Sequence, residues 1–332
     1  MHRALAWTLA IPSVLLTVSL SAQRTVAPNL PGAFVSPRTA WGDPDLQGVW
    51  PSGTLNGVPF ERPPSFGLRA QLTDAEFAER VSVAQRQAAA DAEEFAAPGA
   101  AVAVPLGPSH WLEAGRASRQ TSLIVDPPDG RLPPMTEDGA RRAQAWPSTN
   151  PTVGYARAQD FNVYDRCITR GVLGSAFPNI YNSGMEIVQA PGLVVIRHEM
   201  VHETRIIPLD GRPHLSPAIR SYMGDPRGRW EGATLVVETT HFNGLTGSLG
   251  RNGNGNPTST ALRLIERFTR RDADTLDYSV VVDDPQTWTR PWTVAFSLTR
   301  DPEYRIFEYA CHEGNYAIAN MLRGFRAAEA GR

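Results

Sequence analysis

The chain has 332 residues, with 32 basic and 34 acidic side chains and a formal net charge of −2. Every basic residue is arginine, which excludes a Schiff-base lysine, pyridoxal phosphate attachment and a phosphate-loop lysine. A charge so near neutrality, with no basic run, also argues against a nucleic-acid partner.

The first elements concern export. His2 and Arg3 precede an apolar stretch from Ala4 to Leu20, followed by the small residues Ser21 and Ala22. That order predicts a cleavable signal peptide over residues 1–22 and a periplasmic or secreted mature protein. Pro12 and the shortness of the run argue against a membrane anchor, so no span is expected after cleavage. Loss of Arg3 leaves a mature charge of about −3.

Residues 23–67 are rich in proline and glycine and read as an extended arm, with a short strand at Asp45–Trp50. Residues 68–184 form a helix and loop embellishment. A helix is predicted from Asp74 to Glu94, opened by Thr73 and Glu76 at capping-box spacing. A strand follows at Thr121–Asp126, then a second helix from Glu137 to Trp146 starting on Thr136.

Residues 185–326 read as strands in succession: Met185–Ala190, Leu193 to about Ile207, Thr234–Phe242, Leu262–Arg270, Thr275–Val282, Trp292–Leu298 and Tyr304–Cys311. Leu276, Tyr278, Val280 and Val282 alternate with smaller or polar residues, as do Trp292, Val294, Phe296 and Leu298. Each therefore has one buried face. Sequential strands without intervening helices predict a mainly β fold, an antiparallel meander either folded as a sandwich or, as favoured here, closed as a barrel. Gly250–Asn256 reads as a surface loop, and 45–326 as one compact unit.

The strings Asp165–Gly171, Asp210–His214, Gly228–Gly232, Leu235–Thr240 and Asp284–Trp292 resemble a large family of exported bacterial proteins, of acidobacterial and proteobacterial type, that carries no assigned activity. The tripeptide Gly48-Val49-Trp50 is similar to the start of lipocalins. That second resemblance implies a barrel around an internal cavity.

The sharpest chemical string is His198-Glu199-Met200-Val201-His202, the H-E-x-x-H pattern of zinc peptidases. In those enzymes two histidines one helical turn apart reach one metal and the glutamate is the general base. Here β-branched residues surround the string, and Arg205 stands where one subgroup needs glycine. On one extended strand His198 and His202 would share a face but stand roughly 13 Å apart, too far for one ion. The strand reading places Val194, Ile196, His198, Met200, His202, Thr204 and Ile206 inside, with Arg197, Glu199, Glu203 and Arg205 in solvent.

Two histidines on an apolar face are either satisfied core residues or acid, base and orienting groups in a cavity. On the second reading His202, Glu199 and His241 are candidate catalytic residues. Candidate ligand contacts are His198, Arg212, His214, Trp230, Trp292 and His312, with Trp288 and Tyr309 as further aromatic walls. Cys167 and Cys311 are either a disulfide, as export permits, or two separate thiols.

Three functions follow in order. The first is an exported β-barrel protein that binds a small or amphipathic molecule, with or without metal-free acid–base chemistry, and with no cofactor. The second is a zinc-dependent hydrolase using His198, Glu199 and His202, with His214, His241 or Glu238 as a third ligand. The third is a structural or interaction module of the cell envelope.

Overall fold

The computed structural model describes residues 34–55, 57–94, 117–145, 155–178, 181–246 and 257–331. The expected signal peptide and the Gly250–Asn256 loop lie outside them. The described residues fall within one compact unit.

Helix α1 spans Asp74–Glu94, and its start has the anticipated cap. The Glu76 carboxylate accepts from the Thr73 N–H at 2.8 Å while the Glu76 N–H donates to the Thr73 hydroxyl at 3.3 Å, so two orphan donors are satisfied reciprocally. Helix α2, Glu137–Gln144, is capped by the Thr136 hydroxyl accepting from the Gly139 N–H at 3.0 Å. Helix α3 is a single buried piece, Gly171–Ala176, and helix α4, Ala317–Ala330, is exposed. Among the described residues no helix is long and apolar enough to cross a membrane.

The strands are β1 (Gly48–Val49), β2 (Ile124–Asp126), β3 (Met185–Ala190), β4 (Leu193–His198), β5 (Thr204–Pro208), β6 (Asp225–Glu231), β7 (Thr234–Thr240), β8 (Arg263–Arg270), β9 (Thr275–Asp283) and β10 (Trp292–Thr299). They build two antiparallel sheets, ordered β1-β3-β4-β5 and β2-β10-β9-β8-β7-β6. The protein is therefore mainly β and antiparallel, but neither sheet closes on itself into the expected barrel. At one margin β5 meets β6 through side chains: Gly228 lies so close under Ile207 and Leu209 that a Cβ there would come within 2.5 Å of Leu209. At the other margin a single N–H of Asp301 reaches the carbonyl of Val49 at 3.4 Å.

The two sheets share one core. Leu276, Tyr278, Val280 and Val282 of β9 and Trp292, Val294, Phe296 and Leu298 of β10 face Ile187, Val194, Ile196 and Ile207 across it. Trp50 and Trp288 fill the same interior, with rings of Trp288 and Trp292 edge to face at 5.4 Å. Large side chains thus occupy the space where a lipocalin would keep its lumen.

Two strand expectations change. The long strand from Leu193 to about Ile207 is a hairpin: β4 ends at His198, a 3-10 turn covers Met200–His202, and β5 returns with Arg197 opposite Thr204. Val201 and His202 adopt φ of +59° and +47° to make it, a turn without glycine, asparagine or proline to announce it. The turn shifts the alternation, so Glu199 and Arg205 are buried while Ile206 is 60% exposed. Tyr304–Cys311 is irregular rather than a strand, and β6 arises from a segment whose proline and glycine hide its extended character.

Candidate functional site

The structure divides the sequence candidates among three places. His198 is buried, and desolvation, with Arg205 and Arg170 nearby, drives its pKa down to about 3, so it is neutral. Glu199 is also buried, accepting from Asn182 Nδ2 at 2.9 Å, the Phe307 N–H at 3.1 Å and the Tyr304 hydroxyl at 2.7 Å. That carboxylate ties the C-terminal segment to β3 and β4. His202 is exposed, with Nδ1 3.0 Å from the carbonyl of Tyr309. The H-E-x-x-H string therefore lies on a strand end and a tight turn, with one histidine inside and the other out, which removes the zincin reading in its usual form.

Arg212 pairs locally with Asp210 on the surface, the Nε–Oδ2 contact being 2.7 Å, and is a turn feature. Trp292 is core, Trp230 packs partly buried against it, and His312 is exposed at the C-terminal segment.

His214 and His241 do come together, and the residue between them is one that the sequence did not announce. Asp225 opens β6, whose register sets it opposite Thr240 at the end of β7. His241 follows immediately in a left-handed conformation, φ +60°, which takes its side chain off the inward row of Leu235, Val237 and Thr239. It thus shares no interior with His202, which is itself exposed. The connection from β5 carries His214 over the same spot, and the two imidazole centroids are 5.5 Å apart.

The Oδ2 atom of Asp225 lies 3.0 Å from His214 Nδ1 and 3.9 Å from His241 Nδ1. It also accepts from the Leu215 N–H at 2.8 Å, and Oδ1 accepts from Arg227 Nη1 at 2.6 Å. Burial raises the pKa of this carboxyl, but the bonds from Leu215, His214 and Arg227 outweigh it and hold it below the usual range. An ionised carboxylate only accepts, so His214 Nδ1 is the donor in this contact and Nε2 is the nitrogen left for other partners. The Thr240 hydroxyl sits 3.0 Å from His241 Nδ1 and 3.4 Å from His214 Nδ1, a bridge between the two rings.

Gly224 fixes the approach. Its φ is +69° and a Cβ there would stand 2.5 Å from the Thr240 carbonyl oxygen, so only glycine lets Asp225 sit against Thr240. Asp225 gave no signal because it stands in an unpatterned proline-glycine segment. Its only local cue was the proximity of the Asp210–His214 and Gly228–Gly232 strings.

Cys167 and Cys311 form a disulfide across 144 residues. The chain matches no family model, no curated protein and no solved structure.

Proposed function

We propose that the protein is exported and handles a small molecule at the surface centre His214–Asp225–His241, with His214 as an acid–base group oriented by Asp225. The observation that carries this is the 3.0 Å contact between His214 Nδ1 and a carboxylate itself fixed by Leu215 and Arg227. An imidazole held on one nitrogen by a carboxylate presents its other nitrogen as a base of defined direction. His241, whose Nδ1 lies 3.9 Å from the same Oδ2, supplies a second acid–base or orienting group. The filled core favours this surface location over an internal lipocalin-like cavity. Export rests on the order of charge, apolar run and small residues at the N-terminus, and kinship with the exported bacterial family rests on its sequence strings.

A second reading of the same site is a divalent transition-metal centre. One ligand atom from each of His214, Asp225 and His241 falls within 4.8 Å of the others. Donors about 2.1 Å from a tetrahedral ion stand about 3.4 Å apart, so small shifts would bring all three onto one ion.

Both readings are tested by amide chemical-shift mapping of the mature protein with a fragment library and, separately, zinc. The acid–base reading expects organic fragments to perturb residues around 214, 225 and 241, and the effect to vanish in His214→Ala. One-to-one zinc binding at micromolar concentration on both imidazoles would favour the metal. Fragments that gather elsewhere, with zinc bound nowhere on this face, would overturn the proposal.

A further inference from the structure

A second polar cluster stands apart from the chemistry above and contains a group whose charge is unanswered. Arg170 is 5% exposed, yet among the described residues no carboxylate forms an ion pair with it, and its Nε is a buried donor without a hydrogen-bond partner. Arg205 is equally buried and its Nε is likewise without a partner, but its charge is answered by Glu266, which Arg170 lacks. A buried cation is ordinarily paired, and an unpaired one in a native fold points to a missing anion.

What surrounds Arg170 is suited to an anion. Its guanidinium carbon lies 5.0 Å from the centre of the Tyr164 ring. The Tyr164 hydroxyl is 3.3 Å from that of Tyr309, and Tyr181 lies against both. All three tyrosines are half-buried, so the cluster borders solvent. Burial raises the pKa of each, that of Tyr181 to about 12, so they stay protonated donors.

The backbone is constrained around the same place. Of the non-glycine residues with positive φ among the described residues, Cys167 and Asn182 lie on segments that carry this cluster, and Val201 and His202 lie on the turn that touches it through Met200 Sδ, 3.8 Å from the Tyr164 hydroxyl, and His202 Nδ1, 3.0 Å from the Tyr309 carbonyl. The disulfide joins Cys167, three residues after Tyr164, to Cys311, two residues after Tyr309. Left-handed φ at Val201 is costly for a β-branched side chain and is retained where the surroundings demand it.

We propose that Arg170, with the hydroxyls of Tyr164, Tyr181 and Tyr309, binds a small oxyanion, either free or as the anionic end of a ligand. The guanidinium supplies a planar pair of donors and the phenols supply donors that can turn toward the bound oxygens. The proposal is independent of the His214 centre.

The test uses sodium phosphate and sodium acetate as probes, each against sodium chloride at matched ionic strength. Binding is read from tyrosine difference absorbance and from the Arg170 Nε–Hε resonance of the wild-type protein. We expect one of the two anions to bind saturably and to shift that resonance, at least tenfold weaker binding in Tyr309→Phe, and no binding in Arg170→Gln. Phosphate alone would identify a tetrahedral anion and acetate alone a carboxylate. No saturable response beyond chloride, or a response unchanged in Tyr309→Phe, would overturn the site. The wild-type resonance and Tyr309→Phe keep the test decisive if Arg170→Gln does not fold.

Discussion

Arg205 of β5 reaches through the core to Glu266 of β8, joining the two sheets by a charge pair of which neither side chain is more than 2% exposed. Nη1 to Oε1 is 2.9 Å, and the other nitrogen and oxygen form a second, parallel bond. The Tyr278 hydroxyl donates to Glu266 at 3.1 Å, and Thr239 accepts from Arg205 at 3.4 Å. Removing one partner strands a buried charge, whereas replacing both with apolar groups does not. Arg205→Met should therefore lower stability by about 3 to 5 kcal/mol, and Arg205→Met with Glu266→Leu should recover most of it. Urea unfolding of the single and double variants measures both.

The buried, neutral His198 makes stability fall with acid. Its folded pKa of about 3 lies below the ordinary value of 6.5. Between those limits the unfolded chain binds a proton that the folded chain refuses. Stability is therefore present above about pH 6.5 and declines as pH falls toward 3, by up to about 1.4 kcal/mol per pH unit from this group. A His198→Gln variant should show a shallower loss of stability than wild type over that window, as read by chemical unfolding at a series of pH values.

The disulfide secures a segment with little burial of its own. Residues 301–331 are mostly exposed, and Cys311 is their covalent tie to Cys167. Closing so long a loop contributes up to about 5 kcal/mol on the chain-entropy model. Reduction should release this segment before the sheets unfold, so limited proteolysis with reductant should cut after residue 300 and leave a sheet-containing core.

The sequence was most legible where one physical pattern dominated. Strict alternation along β9 and β10 located their buried faces, and Thr73 with Glu76 located the start of α1. The turn at Val201 and His202 was hidden because β-branched and bulky residues normally exclude left-handed φ, and only tertiary packing enforces it here. His214 and His241 were visible as polar residues, yet their meeting depends on β6, which Pro226 and Gly228 disguised. Asp225 had no pattern of its own, because its partners are set by register and not by spacing.

The proposed acid–base role of His214 rests on its orientation by Asp225. The direct measurement is the imidazole nitrogen spectrum of wild type and Asp225→Asn near neutral pH. With Asp225 orienting the ring, the wild-type spectrum should show a proton held on His214 Nδ1, and that preference should be lost in the variant. A His214 protonated on Nε2, or a spectrum indifferent to Asp225→Asn, would contradict it.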